Sequence, residues 1–178
     1  INAKTRGVKA ISLDEGDELA YSTFVKEEDD VMFITRGGKG LRTPVSEIRT
    51  MGRATHGVRC IKLIGDDTVA GRVKVEEGKS ILMITEGGKG KRVSFDDFNA
   101  HGRGTMGQRI YSLVDGDGLV NALSVDESND VIFMTLKGQI IRVHVNGISL
   151  LGKTAKGVIV AKFKKKDDKI NVMAITEY

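Results

Sequence analysis

The feature that most constrains this chain is its periodicity. "TRGGKGLR" at 35–42 returns as "TEGGKGKR" at 85–92 and as "TLKGQIIR" at 135–142, a fifty-residue interval that needs no gap over most of the chain. Thr35, Thr85 and Thr135 correspond, as do Gly38, Gly88 and Gly138, and Arg42, Arg92 and Arg142. Further on, Gly52, Gly102 and Gly152 precede Arg53, Arg103 and Lys153, and Gly57, Gly107 and Gly157 follow, with Gly7 as an earlier member. Asp17, Asp67, Asp117 and Asp167 complete the series. A unit of this length cannot bury its apolar face alone, so neighbouring units must stack. The periodicity also argues against a single phosphate-binding loop, and no Gly-Lys-Ser/Thr closes the stretch.

Within each unit the pattern is β. "VMFIT", "ILMIT" and "VIFMT" are short apolar runs bounded by turn signals, as expected of strands buried on both faces. Val45, Phe95 and Val145 lie on the opposite parity from Arg42, Arg92 and Arg142, which places these arginines away from the apolar face if the strand continues. "GVRCIKL", "GQRIYSL" and "GVIVAKF" supply a third strand, and "TVAGRVKV" and "LVNALSV" a fourth. Nothing has a convincing helical period. Four-stranded units in tandem predict an all-β, propeller-like fold, one domain over 1–178 with units near 1–27 (partial), 28–77, 78–127 and 128–178. The opening "INAKTRGVKAISL" matches a third strand and the closing "INVMAITEY" a fourth. The expectation is three complete units preceded by the last two strands of another, within a longer array.

Charge narrows the function. The net charge is +4 and the sequence pI about 9.1, but the distribution says more. "SLDEGDELAYSTFVKEEDD" is acidic, whereas "TRGGKGLRTPVSEIRTMGRATHGVRCIK" carries one acid, Glu47, among many bases. Stacked in register, such alternation predicts one basic and one acidic side, the footprint of a polyanion binder. An aromatic content of 5% gives less support to the alternative, a propeller-type protein-interaction platform whose acidic hairpins take a basic partner. A lone Cys60 fits a reducing cytoplasm, and no apolar run approaches a membrane span.

"MGRATHGVRCIKLIGDDTVAG", "HGRGTMGQRIYSLVDGDGLV" and "LLGKTAKGVIVAKF" carry a further signal. The unit of an apolar strand, Thr-x-x-Gly-x-x-x-Arg, then Gly-Arg-x-Thr-x-Gly-Val and another apolar strand resembles the C-terminal domain of the A subunit of bacterial DNA gyrase and its paralogue in topoisomerase IV. The resemblance covers essentially the whole chain. It implies a β-pinwheel, a disc of four-stranded blades with a non-standard strand order that wraps double-stranded DNA around a basic perimeter, this chain corresponding to its last three blades. It further implies a parent complex with the N-terminal part of the gyrase A subunit, which holds the cleavage tyrosine, and with the gyrase B subunit, which uses ATP with Mg. No cofactor is expected in this chain, which is read as a monomeric, cytoplasmic, nucleoid-associated piece. The family's Gln-Arg-Arg-Gly-Gly-Lys-Gly box lies in the register of Gly52 to Gly57, whereas "RGGKG" at 36–40 stands earlier in the unit, behind Ile34 and Thr35. Residues 36–40 are therefore read as a repeat turn, and the box as missing from this chain.

The candidate DNA-contacting residues are Arg36, Lys39, Arg42, Arg53, Arg59, Lys89, Lys91, Arg92, Arg103, Arg109, Lys137, Arg142, Lys153 and Lys156. Gly38 and Gly88 would allow a tight turn presenting N–H groups to a phosphate, with Lys39, Lys89 and Arg36 beside it. Arg42, Arg92 and Arg142 would add planar donor forks, or would instead pair with Asp17, Asp67 and Asp117 as scaffolding between blades. Contacts of this kind position DNA without reading its sequence. His56, His101 and His144 fall at different places in the unit, which argues against a shared metal site. No catalytic acid–base set is recognisable, and Tyr21, Tyr111 and Tyr178 give no sign of a nucleophile.

Overall fold

The computed structural model describes residues 6–176. The first five residues of the opening segment and Tyr178 lie outside them. The described residues form eleven strands and three short 3₁₀ turns, with no α-helix among them. The strands are β1 (Asp30–Thr35), β2 (Lys39–Pro44), β3 (Val69–Lys74), β4 (Ser80–Thr85), β5 (Lys89–Ser94), β6 (Gln108–Arg109), β7 (Leu119–Val125), β8 (Asp130–Thr135), β9 (Ile140–His144), β10 (Val158–Ile159) and β11 (Ile170–Thr176). They build three antiparallel sheets, ordered β3-β1-β2-β6, β10-β5-β4-β7 and β11-β8-β9.

The order shows what periodicity alone does not. Each four-stranded sheet takes three strands from one repeat and its outermost strand from the next: β6 pairs with β2 at Lys39 and Gly40, and β10 pairs with β5 at Lys89 and Gly90. The expected third strands of the last two units thus belong to the preceding blades, and each ladder is only two residues long. Residues 6–13 and 57–63, read as third strands, form no ladder among the described residues. The closing segment is a fourth strand as expected, β11.

Strand exchange requires close backbone approach, and glycine supplies it. Gly38 and Gly88 both have φ of +81°, and a Cβ there would stand 2.7 Å from the Tyr111 carbonyl oxygen and 2.6 Å from that of Ala161. Their own carbonyls accept the N–H groups of Ile110 and Ala161. The turn therefore needs glycine twice, for its left-handed backbone and for the strand arriving from the next repeat.

Burial follows the two-residue period of the strands. On β4, Ile81 and Met83 enter a core shared with Met32 and Ile34, while Leu82 and Ile84 enter a second core shared with Val131 and Phe133. All four β4 side chains are fully buried, worth about 1.5–3 kcal/mol each as an upper estimate. Each sheet thus turns one side-chain set toward the preceding blade and the alternate set toward the following one. On β8 the second set has no sheet against it among the described residues, and Met134 is 43% exposed.

Strand alternation does not run from the arginines through to the apolar residues at 45, 95 and 145. Pro44, Ser94 and His144 end their strands, and Val45–Glu47, Phe95–Asp97 and Val145–Gly147 turn as 3₁₀ helices. The apolar residues at 45, 95 and 145 are placed by that turn rather than by strand alternation.

Candidate nucleic-acid interface

The glycine-rich turn that resembles a phosphate cradle is already filled. Gly37 N–H donates to Asp67 Oδ1 at 2.8 Å, and Gly87 N–H to Asp117 Oδ1 at 3.0 Å. The third copy repeats the device with Lys137 N–H donating to Asp168 Oδ1 at 3.0 Å. Each carboxylate oxygen also accepts the N–H following its own residue. The aspartate series is therefore the internal ligand of the turn and not the arginine partner. Its last member is Asp168 in place of Asp167, because the "KKKDD" turn holds one extra residue. A bound anion would have to displace these carboxylates.

The strand cations are likewise spent on the scaffold. Arg42 Nε meets Asp30 Oδ2 at 2.7 Å, and its Nη1 donates to the carbonyls of Phe95 and Phe98 in the next repeat. Arg92, 5% exposed, donates to Ile148 O at 2.7 Å and Glu127 Oε1 at 3.0 Å. Arg142 is paired with Asp130, which His144 also contacts. Scaffolding is thus the role the structure gives these side chains, with Asp30, Glu127 and Asp130 as partners in place of Asp17, Asp67 and Asp117. Lys91 is fully buried and bonded to three carbonyls. The DNA-contact expectation is corrected for Lys91 and Arg92, whose donors are turned inward away from any phosphate.

Near the β1–β2 turn the expected separation of charge into two sides also fails. Arg36, Lys39 and Lys62 share an open cleft of about 470 Å³ with Asp66, Asp67 and Asp117. Arg36 is bound to Glu86, whose second oxygen takes Lys169 Nζ at 3.1 Å. These two cations, Arg36 foremost, hold the Glu86 carboxyl down at about 2, against the opposing effect of burial. Lys89 is half-buried, and exposed Lys137 donates to the Lys166 carbonyl.

What remains free lies on the outer edge. β3 packs on β7 and β7 on β11, so these strands are innermost in their sheets, while β6 and β10 occupy the opposite edge. Arg109 on β6 is exposed, as are Arg103 and Lys156 in the turns entering β6 and β10. Arg103 Nε donates to Glu47 O at 3.0 Å, and Lys153 Nζ reaches Gln108 Oε1 at 3.2 Å above the Phe98 ring. Arg53 and Arg59, at the corresponding positions of the earlier repeat, are exposed as well. The first two of these turns are shaped by their Gly-x-x-Thr sequence: Thr55 and Thr105 hydroxyls donate to the carbonyls of Gly52 and Gly102. Sequence reasoning missed exposed Lys62, Lys164 and Lys165, visible as basic residues but outside the matched columns of the repeat. Among the described residues no group of His, Cys, Asp or Glu is arranged to hold a metal ion, and no helix is long and apolar enough to cross a membrane.

Comparison with known proteins agrees with this architecture. Two solved structures, a C-terminal domain of DNA topoisomerase IV and a DNA gyrase A C-terminal domain, superpose with TM-scores of 0.88 at 18% and 24% identity. They match 94% and 95% of this chain and 53% and 58% of their own, a likeness of fold. Among sequences, the DNA gyrase A subunit of Treponema pallidum is 53% identical over 53 residues, and that of Kosmotoga olearia 44% over 54, each match covering 30% of this chain. The matched segments span only 6% and 7% of those proteins. The family model described as DNA gyrase C-terminal domain, beta-propeller, matches residues 1–25, 29–73, 79–126 and 129–177. With nearly its whole length matched as successive repeats, the chain belongs to the DNA gyrase C-terminal domain family.

Proposed function

We propose that this chain binds double-stranded DNA without sequence preference and bends it along the outer edge of its blades, as the wrapping element of a type II topoisomerase of the gyrase class. The observation that carries the reading is the recurrence of cations in the outer-edge turn of each repeat: exposed Arg53 and Arg59, then exposed Arg103 and Arg109, then half-buried Lys153 and exposed Lys156. Spacing by repeat lets a curved duplex meet one cluster after another. Phosphate contacts of this kind add up, whereas smooth bending of a short site costs on the order of 1–6 kcal/mol, so several blades must act together. Cleavage chemistry and ATP use would belong to the rest of the parent complex, the N-terminal part of the gyrase A subunit and the gyrase B subunit.

The test is binding to a random-sequence duplex of about 40 base pairs as a function of salt, since each phosphate contact contributes about 0.9 to the slope of log affinity against log salt. Substituting Arg103, Arg109 and Lys156 together by alanine should flatten that slope by about 2–3 while the fold melts as before. Salt-independent binding, or a slope indifferent to the triple substitution, refutes the assignment. Capture of a basic protein by the acidic hairpins in place of DNA would support the interaction-platform reading.

A further inference from the structure

We propose that Lys91 is a positioning residue for the DNA contact: its buried ammonium fixes the Gly152–Ala155 turn, which carries Lys153 and leads into Lys156. The inference rests on the DNA reading above and adds a residue that touches no DNA itself.

Lys91 lies opposite Met83 in the β4–β5 ladder, so its side chain enters the core between the first two sheets. Its Nζ donates to the carbonyls of Gly152 at 2.9 Å, Lys153 at 2.6 Å and Ala155 at 2.9 Å. An ammonium has three N–H donors, and here all three go to one turn of the following repeat. The Tyr111 ring lies 4.9 Å from the same nitrogen. The bonded partners are backbone dipoles, with no carboxylate among them, and the aromatic face adds a weaker attraction. Burial pushes the Lys91 pKa down to about 8, which still leaves the group charged at neutral pH.

The fold does not demand a cation there. The corresponding residues of the other repeats are Leu41 and Ile141. One repeat earlier, the Gly102–Thr105 turn is tied from outside, with Arg103 giving its Nε to the Glu47 carbonyl. The Gly152–Ala155 turn is held from inside. Three carbonyls drawn inward onto one nitrogen fix the turn, with Lys153 half-buried between the Gln108 amide oxygen and the Phe98 ring and Lys156 exposed. Lys91 thus does for one turn what a perimeter arginine does for the other.

The experiment compares the full chain with Lys91→Met, which keeps length, and Lys91→Leu, which copies position 41. Each is made alone and in a Lys153→Ala/Lys156→Ala background. Duplex affinity at about 0.1 M salt should fall about five- to tenfold in either single variant, the scale of one lost phosphate contact. Amide exchange should accelerate over 153–157 and stay unchanged over 102–107. In the Lys153→Ala/Lys156→Ala background the Lys91 substitution should cost no further affinity, since its effect passes through those two lysines. If the wild type binds DNA but both single variants bind equally well with unchanged exchange, the positioning role is overturned and the DNA reading survives. An equal loss in the doubly substituted background also overturns it, by marking general loosening. A wild type without salt-dependent binding removes the DNA reading and this inference with it.

Discussion

Gly107→Ala tests the exchange of strands between repeats. Gly107 has φ of +66°, and a Cβ added there would lie 2.5 Å from the Gly40 carbonyl oxygen and 2.9 Å from its carbon. Gly57, its counterpart one repeat earlier, has φ of +78° and nothing within 4 Å of an added Cβ in this chain. Alanine costs about 1–2 kcal/mol in left-handed backbone at either position. Only at 107 must the β6 segment also lift away from β2. That releases the ladder at Lys39 and Gly40 and the bond from Ile110 N–H to the Gly38 carbonyl, together about 2–3 kcal/mol at about 1 kcal/mol per net hydrogen bond. Gly107→Ala should therefore cost about 3–5 kcal/mol in urea denaturation and Gly57→Ala about 1–2. Loss of coupling between blades should also broaden or split the transition of the first variant. Equal costs for the two substitutions, with single sharp transitions in both, would refute the claim that Gly107 serves the close approach.

Arg92→Met should destabilise by about 2–3 kcal/mol, because Ile148 O loses a charged donor, yet leave DNA affinity of the folded protein unchanged. Arg103→Ala should do the reverse, costing under about 1 kcal/mol in a melt and weakening DNA binding. Asp117→Ala removes the acceptor of Gly87 and Gly118 N–H, for about 1–2 kcal/mol in urea, and should raise DNA affinity if it changes at all, since a negative charge is lost. Glu86 has a folded pKa held at about 2, below its unfolded value, so its contribution is complete above about pH 4.5 and disappears as pH falls through about 2. Glu86→Gln should therefore flatten the acid limb of the stability–pH curve over that window, and an unchanged limb would show that Arg36 and Lys169 contribute nothing there.

Much of the fold was legible because its causes are local. Apolar runs at 31–35, 81–85 and 131–135 and glycines at fixed intervals determine strands and turns, and all appear where expected. The allocation of strands to blades was not legible, since a two-residue ladder such as Gln108–Arg109 has no hydrophobic pattern of its own and is fixed by contacts about seventy residues away in sequence. The site divided along the same line. Arg92 and Arg103 are both basic residues in repeated columns, and composition cannot separate them. What separates them is whether the next repeat folds its carbonyls over the side chain, as Ile148 does for Arg92, or leaves it on the outer edge, as at Arg103.

That partition has a mechanical consequence for the proposed wrap. A duplex held bent pulls back on every perimeter contact, and a cation fixed to an independent blade would transmit that pull to a single junction. Here the outer-edge strand carrying Arg109 is hydrogen-bonded to the preceding blade while its chain continues into Ile110 and Tyr111 of the core beneath. Half-buried Arg42 and buried Arg92 cross the same kind of junction in the opposite direction, from Arg42 to the carbonyls of Phe95 and Phe98 and from Arg92 to that of Ile148. The Arg109 contact would therefore be anchored in two blades at once, and load there would be shared between neighbours. The cations withdrawn from the interface are what would allow the exposed ones to hold a bend worth several kcal/mol without prising the blades apart.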